Sequence, residues 1–191
     1  MPFTPFHLGP GLFFGLLSSR YLDVPTFLVA SIVLDVEPLL VMTLGLSYPL
    51  HGFFHTLFGG AIVAILLAFV TVKLNKPISW IASIFKLPRK TSLRSIVLSY
   101  ISGISLHILL DSPLYSDIRP FYPWNFNPLY SDSVFVGIEI YALSALPFLA
   151  GLILYAYIAL RSWKNTKKRA ESQPDGSRLI SPSVTLVTVK H

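Results

Sequence analysis

Apolar residues run along this chain in long blocks that polar residues break at few places. A helix that crosses a bilayer needs about 20 mostly apolar residues. Gly52 to Val72 meets that length, with His55 its only ionisable side chain. Val134 to Leu160 is long enough to cross with some tilt and carries Glu139 near one end. Ser95 to Leu110 is shorter and contains His107. Pro25 to Leu46 is apolar but interrupted by Asp35, Glu37 and Pro38, and Pro5 to Leu22 is apolar with Arg20 near its end. The pattern predicts an all-α fold: a polytopic membrane helix bundle of about five membrane helices.

The connections differ in character. Lys73 to Arg94 holds Lys73, Lys76, Lys86, Arg89, Lys90 and Arg94, and between them the apolar stretch Ile78 to Phe85 with Trp80. That combination predicts an interfacial helix lying on anionic headgroups. Ser112 to Ser133 is rich in aromatic residues and proline, as expected of a membrane-interface belt. After Leu160 come Arg161, Lys164, Lys167, Lys168 and Arg169, then a polar run. Residues 1–162 are therefore expected to form the transmembrane domain, and 163–191 a basic, largely disordered tail. Met1 to Leu17 has neither a basic leader region nor a small-residue cleavage site, so no secretory signal is expected.

Composition agrees with the membrane reading. The chain is 53% hydrophobic and only 13% charged, where soluble domains carry roughly 25% charge. Its net charge of +6 comes from basic residues that flank apolar runs, which argues for membrane topology and against nucleic acid. There is no cysteine, so disulfides and thiolate metal sites are excluded and any metal must be held by imidazole and carboxylate.

Topology then concentrates the candidate chemistry. The positive-inside rule puts the Lys73–Arg94 loop and the C-terminal tail on the cytoplasmic side. His51 and His55 then begin a segment running inward, while His107 and Asp111 end one running outward. His7 falls at the same extracytoplasmic level. Each pair has i, i+4 spacing, which on a helix would put both side chains on one face. Asp35 and Glu37 reach the same level only if their segment bends or breaks near Pro38. Ionisable groups in membrane segments are costly and point to function. Imidazole with carboxylate suits a divalent metal such as Zn, Mn or Fe. The bland readings are interfacial or helix-locking histidines, a metal-free Asp35–Glu37 lock and a solvated Asp117–Arg119 loop pair.

The order of these residues carries a resemblance. An early His7, an Asp-x-acid pair at Asp35 and Glu37, a His-Gly-x-x-His-Thr stretch from His51 to Thr56 and a His-x-x-x-Asp-Ser stretch from His107 to Ser112 resemble the membrane-bound metal-dependent hydrolases. That family is also described as LexA-binding and inner-membrane-associated, and the likeness covers about Met1 to Pro120. Two departures stand out. The family's Asp-x-Asp-His reads Asp35-Val36-Glu37-Pro38 here, and the arginine of its His-Arg-Gly-x-x-His-Ser is missing.

The expectation is a membrane hydrolase with an extracytoplasmic metal site. His55, His107, Asp111 and Asp35 would be ligands, completed by His7 and His51. Glu37, with Asp35, is the candidate for acid–base work on water, and Arg119 for binding a substrate phosphate. Such a site suggests a lipid or lipid-linked phosphoester as substrate. The alternative is a non-enzymatic membrane protein, either a metal-ion or proton transporter or a structural one. A di-iron lipid oxygenase would call for more histidines, and a zincin motif is absent.

Overall fold

The computed structural model describes residues 5–171 and divides the chain into two units after Ala156. Among the described residues seven α-helices carry the fold: α1 (Pro5–Leu17), α2 (Val24–Ala30), α3 (Val36–Leu44), α4 (Leu57–Lys73), α5 (Asn75–Ile84), α6 (Leu93–Asp111) and α7 (Val134–Glu171). Short 3-10 turns cover Val33–Asp35 and Phe53–His55, and the described residues contain no strand. Helix α7 continues from the first unit into the second. The first residues of the expected tail are thus helical, and 172–191 lie outside the described residues.

Among the described residues three stretches are long and apolar enough to cross a membrane, Val24–Leu44, Leu93–Asp111 and Val134–Asn165, and a fourth if α4 and α5 together form one broken span. Five full spans are therefore too many. Helix α1 has 13 residues, roughly 20 Å at 1.5 Å per residue, against about 30 Å of hydrocarbon. Helices α4 and α5 meet at 84°. Pro77, in the first turn of α5, cannot sit inside a straight continuation of α4, because its ring would meet a carbonyl one turn back. The resulting α5 coincides with the stretch expected at the interface, and its Trp80 and Ile84 are exposed.

The core forms where α2 and α4 pack on α6, around Ala30, Leu34, Ala64, Ala68, Ile96, Tyr100, Ile104 and Ile108. Gly103 lets α2 approach α6 closely, since a β-carbon there would lie 2.6 Å from that of Ala30. The expected break near Pro38 occurs one turn earlier, at residues 31–35. Pro38 itself lies in the first turn of α3, where its missing N–H leaves no bond unmade. The aromatic loop folds over the end of the bundle where α4 begins and α6 ends. Pro120 accepts from Leu57 N at 3.0 Å, and Asn127 Nδ2 donates to the carbonyls of Ser112 and Tyr115.

The opposite end is closed by Asp23. This fully buried carboxylate caps α2 through Thr26, accepts from Lys90 N at 2.8 Å and pairs with Arg89 at 3.2 Å. Removing one member of a buried pair strands the other charge. Asp23→Ala is therefore expected to destabilise the bundle by about 3 kcal/mol, read as a lower midpoint of denaturant unfolding in detergent micelles.

Candidate metal centre

Five separate pieces of chain bring ionisable groups to the end of the bundle under the aromatic loop. The first turn of α1 supplies His7, and the break between α2 and α3 supplies Asp35. The α3–α4 connection supplies His51 and His55, and the end of α6 supplies His107 and Asp111. The loop after α6 supplies Asp117. His55 and His107 are fully buried, and His7, His51 and Asp111 are each 4% exposed.

The i, i+4 expectation holds for one pair and fails for the other. His107 and Asp111 do share a face of α6, with His107 Nε2 3.4 Å from Asp111 Oδ2. His51 and His55 are not on an α-helix, because α4 begins only at Leu57, capped by the Thr56 hydroxyl. His55 closes the 3-10 turn that follows Gly52. The Tyr48 ring lies where a β-carbon of Gly52 would be, and the Tyr48 hydroxyl accepts from Phe53 N at 2.8 Å. Glycine at that place lets the connection fold tightly, and the two imidazoles still meet, with ring centroids 4.8 Å apart.

Hydrogen bonding sets the tautomer of three of the four rings. His107 Nδ1 lies 2.8 Å from the Ser31 carbonyl. His55 Nδ1 lies 2.7 Å from Glu37 Oε2, and His51 Nδ1 lies 2.9 Å from Asp117 Oδ1. A carbonyl or an ionised carboxylate can only accept, so each Nδ1 must donate. In the neutral ring the lone pair is then on Nε2. The Nε2 atoms of His55 and His107 are buried and make no hydrogen bond, and the same is true of His7 Nδ1. A buried nitrogen without a partner costs free energy, whereas a metal ligand takes its partner from the ion.

The break in the second segment makes this possible. The bond that an α-helix would draw from Asp35 N to Ser31 O runs instead to Ile32 O, at 3.1 Å. The Ser31 carbonyl then accepts from His107, and Asp35 comes within 3.8 Å of His107 Nε2.

Two sets of ligand atoms result. His7, Asp35, His107 and Asp111 form one, and His51, His55 and Asp111 the other, and within each set the atoms lie within 4.8 Å of one another. Such a group can hold a metal ion. The separations at His107 Nε2, 3.4 and 3.8 Å to the two aspartates, are long for hydrogen bonds. Two ligand atoms on one tetrahedral ion with bonds near 2.1 Å lie about 3.4 Å apart.

The remaining candidates fall around these sets. Glu37, expected to work on water, has its carboxylate engaged by the His55 ring and the Phe54 amide, so it orients a ligand ring. Arg119 is exposed and donates to Asn125 Oδ1 at 3.0 Å. Asp117 pairs with His51 and not with Arg119. Burial pushes the Asp117 carboxyl up, but hydrogen bonds from the His51 backbone and ring outweigh it and hold the group below the usual carboxylate range. Burial, then the Asp111 charge, pushes the Tyr115 phenol well above its usual value, so the ring against His51 is neutral. From sequence, Asp117 is read as half of a solvated loop pair with Arg119, and the Ser31 carbonyl is not foreseen at all. Topology does put Asp117 at the right end, but a backbone carbonyl leaves no trace in residue identity.

The chain matches no protein-family model, no curated protein and no solved structure. The function must therefore be argued from the site itself.

Groups that orient ligand rings are worth roughly 10–100-fold in metal affinity. Glu37→Ala and Asp117→Ala are each expected to weaken Zn(II) binding by about that factor, measured by competition with a chromophoric chelator. Unchanged affinity in both variants would contradict the orienting role.

Proposed function

We propose that this protein is an integral membrane metal-dependent hydrolase acting on a lipid-linked phosphoester at the extracytoplasmic face. The observation that carries this reading is the convergence of three imidazoles, each with Nδ1 committed to a fixed acceptor, on carboxylates at one buried locus. His7, Asp35, His51, His55, His107 and Asp111 would hold the metal, with Zn, Mn or Fe suited to this donor set. A divalent ion there supplies Lewis acidity and makes water a nucleophile near neutral pH. The chain's own residues do the rest. Glu37, Asp117 and the Ser31 carbonyl fix the rings, and burial under the aromatic loop limits water.

Two cavities flank the site and support an amphiphilic substrate. One, of about 340 Å3, is polar in part and lined by His51, Tyr48, Thr56, Asp117, Arg119 and Asn125. Its exposed guanidinium suits a phosphate. The other, of about 380 Å3, is apolar and lined by Val36, Leu40, Val41, Phe54 and Leu67, with Glu37 at its edge. Tyr48 borders both. A headgroup in the first and an acyl chain in the second would bracket the histidines.

Transport fits less well. A carrier needs a polar path with access from both sides. Here Tyr100, Ile104 and the alanines of α2 and α4 fill the bundle below His107, and the Asp23–Arg89 pair closes the far end.

Two measurements test the proposal. Detergent-purified protein is expected to carry bound metal and to hydrolyse a member of a lipid phosphoester panel with Zn or Mn. His55→Ala is expected to lose both properties while keeping its helical content. No bound metal, or no turnover of any panel member under Mn, Zn or Mg, would sink it. Sidedness is tested separately. The chain has no cysteine, so Ser116→Cys, on the exposed part of the loop over the site, gives a single thiol. An impermeant maleimide added to intact cells should label it, and labelling only after lysis would reverse the assignment.

A further inference from the structure

The two ligand sets share one residue, and that sharing has a chemical meaning. Asp111 belongs both to the set with His7, Asp35 and His107 and to the set with His51 and His55. A carboxylate has two oxygens and can bind two ions at once. Within the first set its two oxygens face both rings, Oδ1 3.1 Å from His7 Nε2 and Oδ2 3.4 Å from His107 Nε2, and a ligand oxygen of the same carboxylate also lies within 4.8 Å of ligand atoms of His51 and His55. The rings also fall into two pairs. His7 and His107 have centroids 4.1 Å apart and His51 and His55 4.8 Å, while His55 and His107, across the pairs, are 5.4 Å apart.

Ligand count favours the same division. Four imidazoles are too many for one small ion that also binds two aspartates, since zinc prefers four ligands. A lone ion in the first set would leave the buried His55 Nε2 without a partner, and one in the second set would leave His107 Nε2 without one. Two ions bridged by one carboxylate use the whole set.

We infer that the site holds two divalent ions bridged by Asp111, one closed by four protein ligands and one left open by three. This rests on the proposed metal-dependent function and extends it. The first ion, with His7, Asp35, His107 and Asp111, has the ligand count of a structural site. The second, with His51, His55 and Asp111, has the three protein ligands of a catalytic site with an open position. The open site is the one beside the polar cavity, because His51 lines that cavity and none of the closed set does. The substrate would meet the second ion, and Arg119, on the same cavity wall, its negative charge. Paired ions clamp the attacking and leaving oxygens of phosphoester hydrolysis. In that reaction the oxygen of water bonds to phosphorus, the ester oxygen leaves, and the proton of water ends on the departing alcohol.

Metal stoichiometry separates this inference from the reading beneath it. Full-length protein in detergent is dialysed to equilibrium against Zn(II) alone and, separately, Mn(II) alone, then analysed for metal and protein. The expected result is two equivalents in the wild type and one each in His51→Ala and His7→Ala. The Mn(II)-loaded wild type should show an exchange-broadened EPR signal, and each variant the resolved hyperfine pattern of an isolated ion. One equivalent in the wild type, with that isolated-ion pattern, would overturn the paired site while leaving single-metal function intact. No bound metal would overturn both. The wild-type measurement decides the matter even if a variant fails to fold.

Discussion

Everything at the polar end of this bundle depends on one constraint. An imidazole buried between apolar helices has two nitrogens, and both must be satisfied in a place where water is scarce. The fold settles one nitrogen of each of three rings with a fixed acceptor: Ser31 O for His107, Glu37 for His55 and Asp117 for His51. Those acceptors lie at the outer edge of the cluster, on three different elements. The remaining nitrogens can then serve one locus around Asp111. The arrangement has the form of a metal site with its supporting shell in place.

That constraint explains features that look like defects in isolation. The second apolar segment does not form one regular helix, because a continuous α-helix would use the Ser31 carbonyl internally and deny it to His107. The α3–α4 connection is not helical around His51, because helical geometry would tie both rings to α4. The tight packing of α2 on α6 at Gly103 places Ser31 opposite His107, four residues further along α6. At the far end, the Asp23–Arg89 pair holds the start of α2 against the α5–α6 loop. Two polar anchors, one at each end, fix a helix whose middle is broken.

The residues around the histidines have physical roles of their own. Glu37 has a side chain long enough to reach the His55 ring. Pro38 lies in the first turn of α3, where a proline costs nothing. His7, His51, His55 and His107 supply the imidazoles at the cluster. Arg119 lines the same cavity as His51.

Much of this protein was legible in one dimension. Long apolar blocks determined helices, since a backbone withdrawn from water must satisfy its own hydrogen bonds. Basic flanks sorted the ends of α4 and α6, which put His55, His107 and Asp111 at a common level. What one dimension could not carry was the path of the irregular segments. Helix length was overestimated for α1 because apolar composition continues past the point where the backbone turns. The i, i+4 spacing of His51 and His55 matched a helix that does not form, since spacing records periodicity only where the backbone is regular. Asp117 and the Ser31 carbonyl joined the site through contacts 66 and 76 residues apart in sequence. The sequence by itself determined which side chains are available and at which end of the bundle they gather. Only the tertiary structure decided which nitrogen is committed in three of the rings and that one aspartate belongs to two ligand sets, because those choices depend on packing between distant segments and on where the helices break.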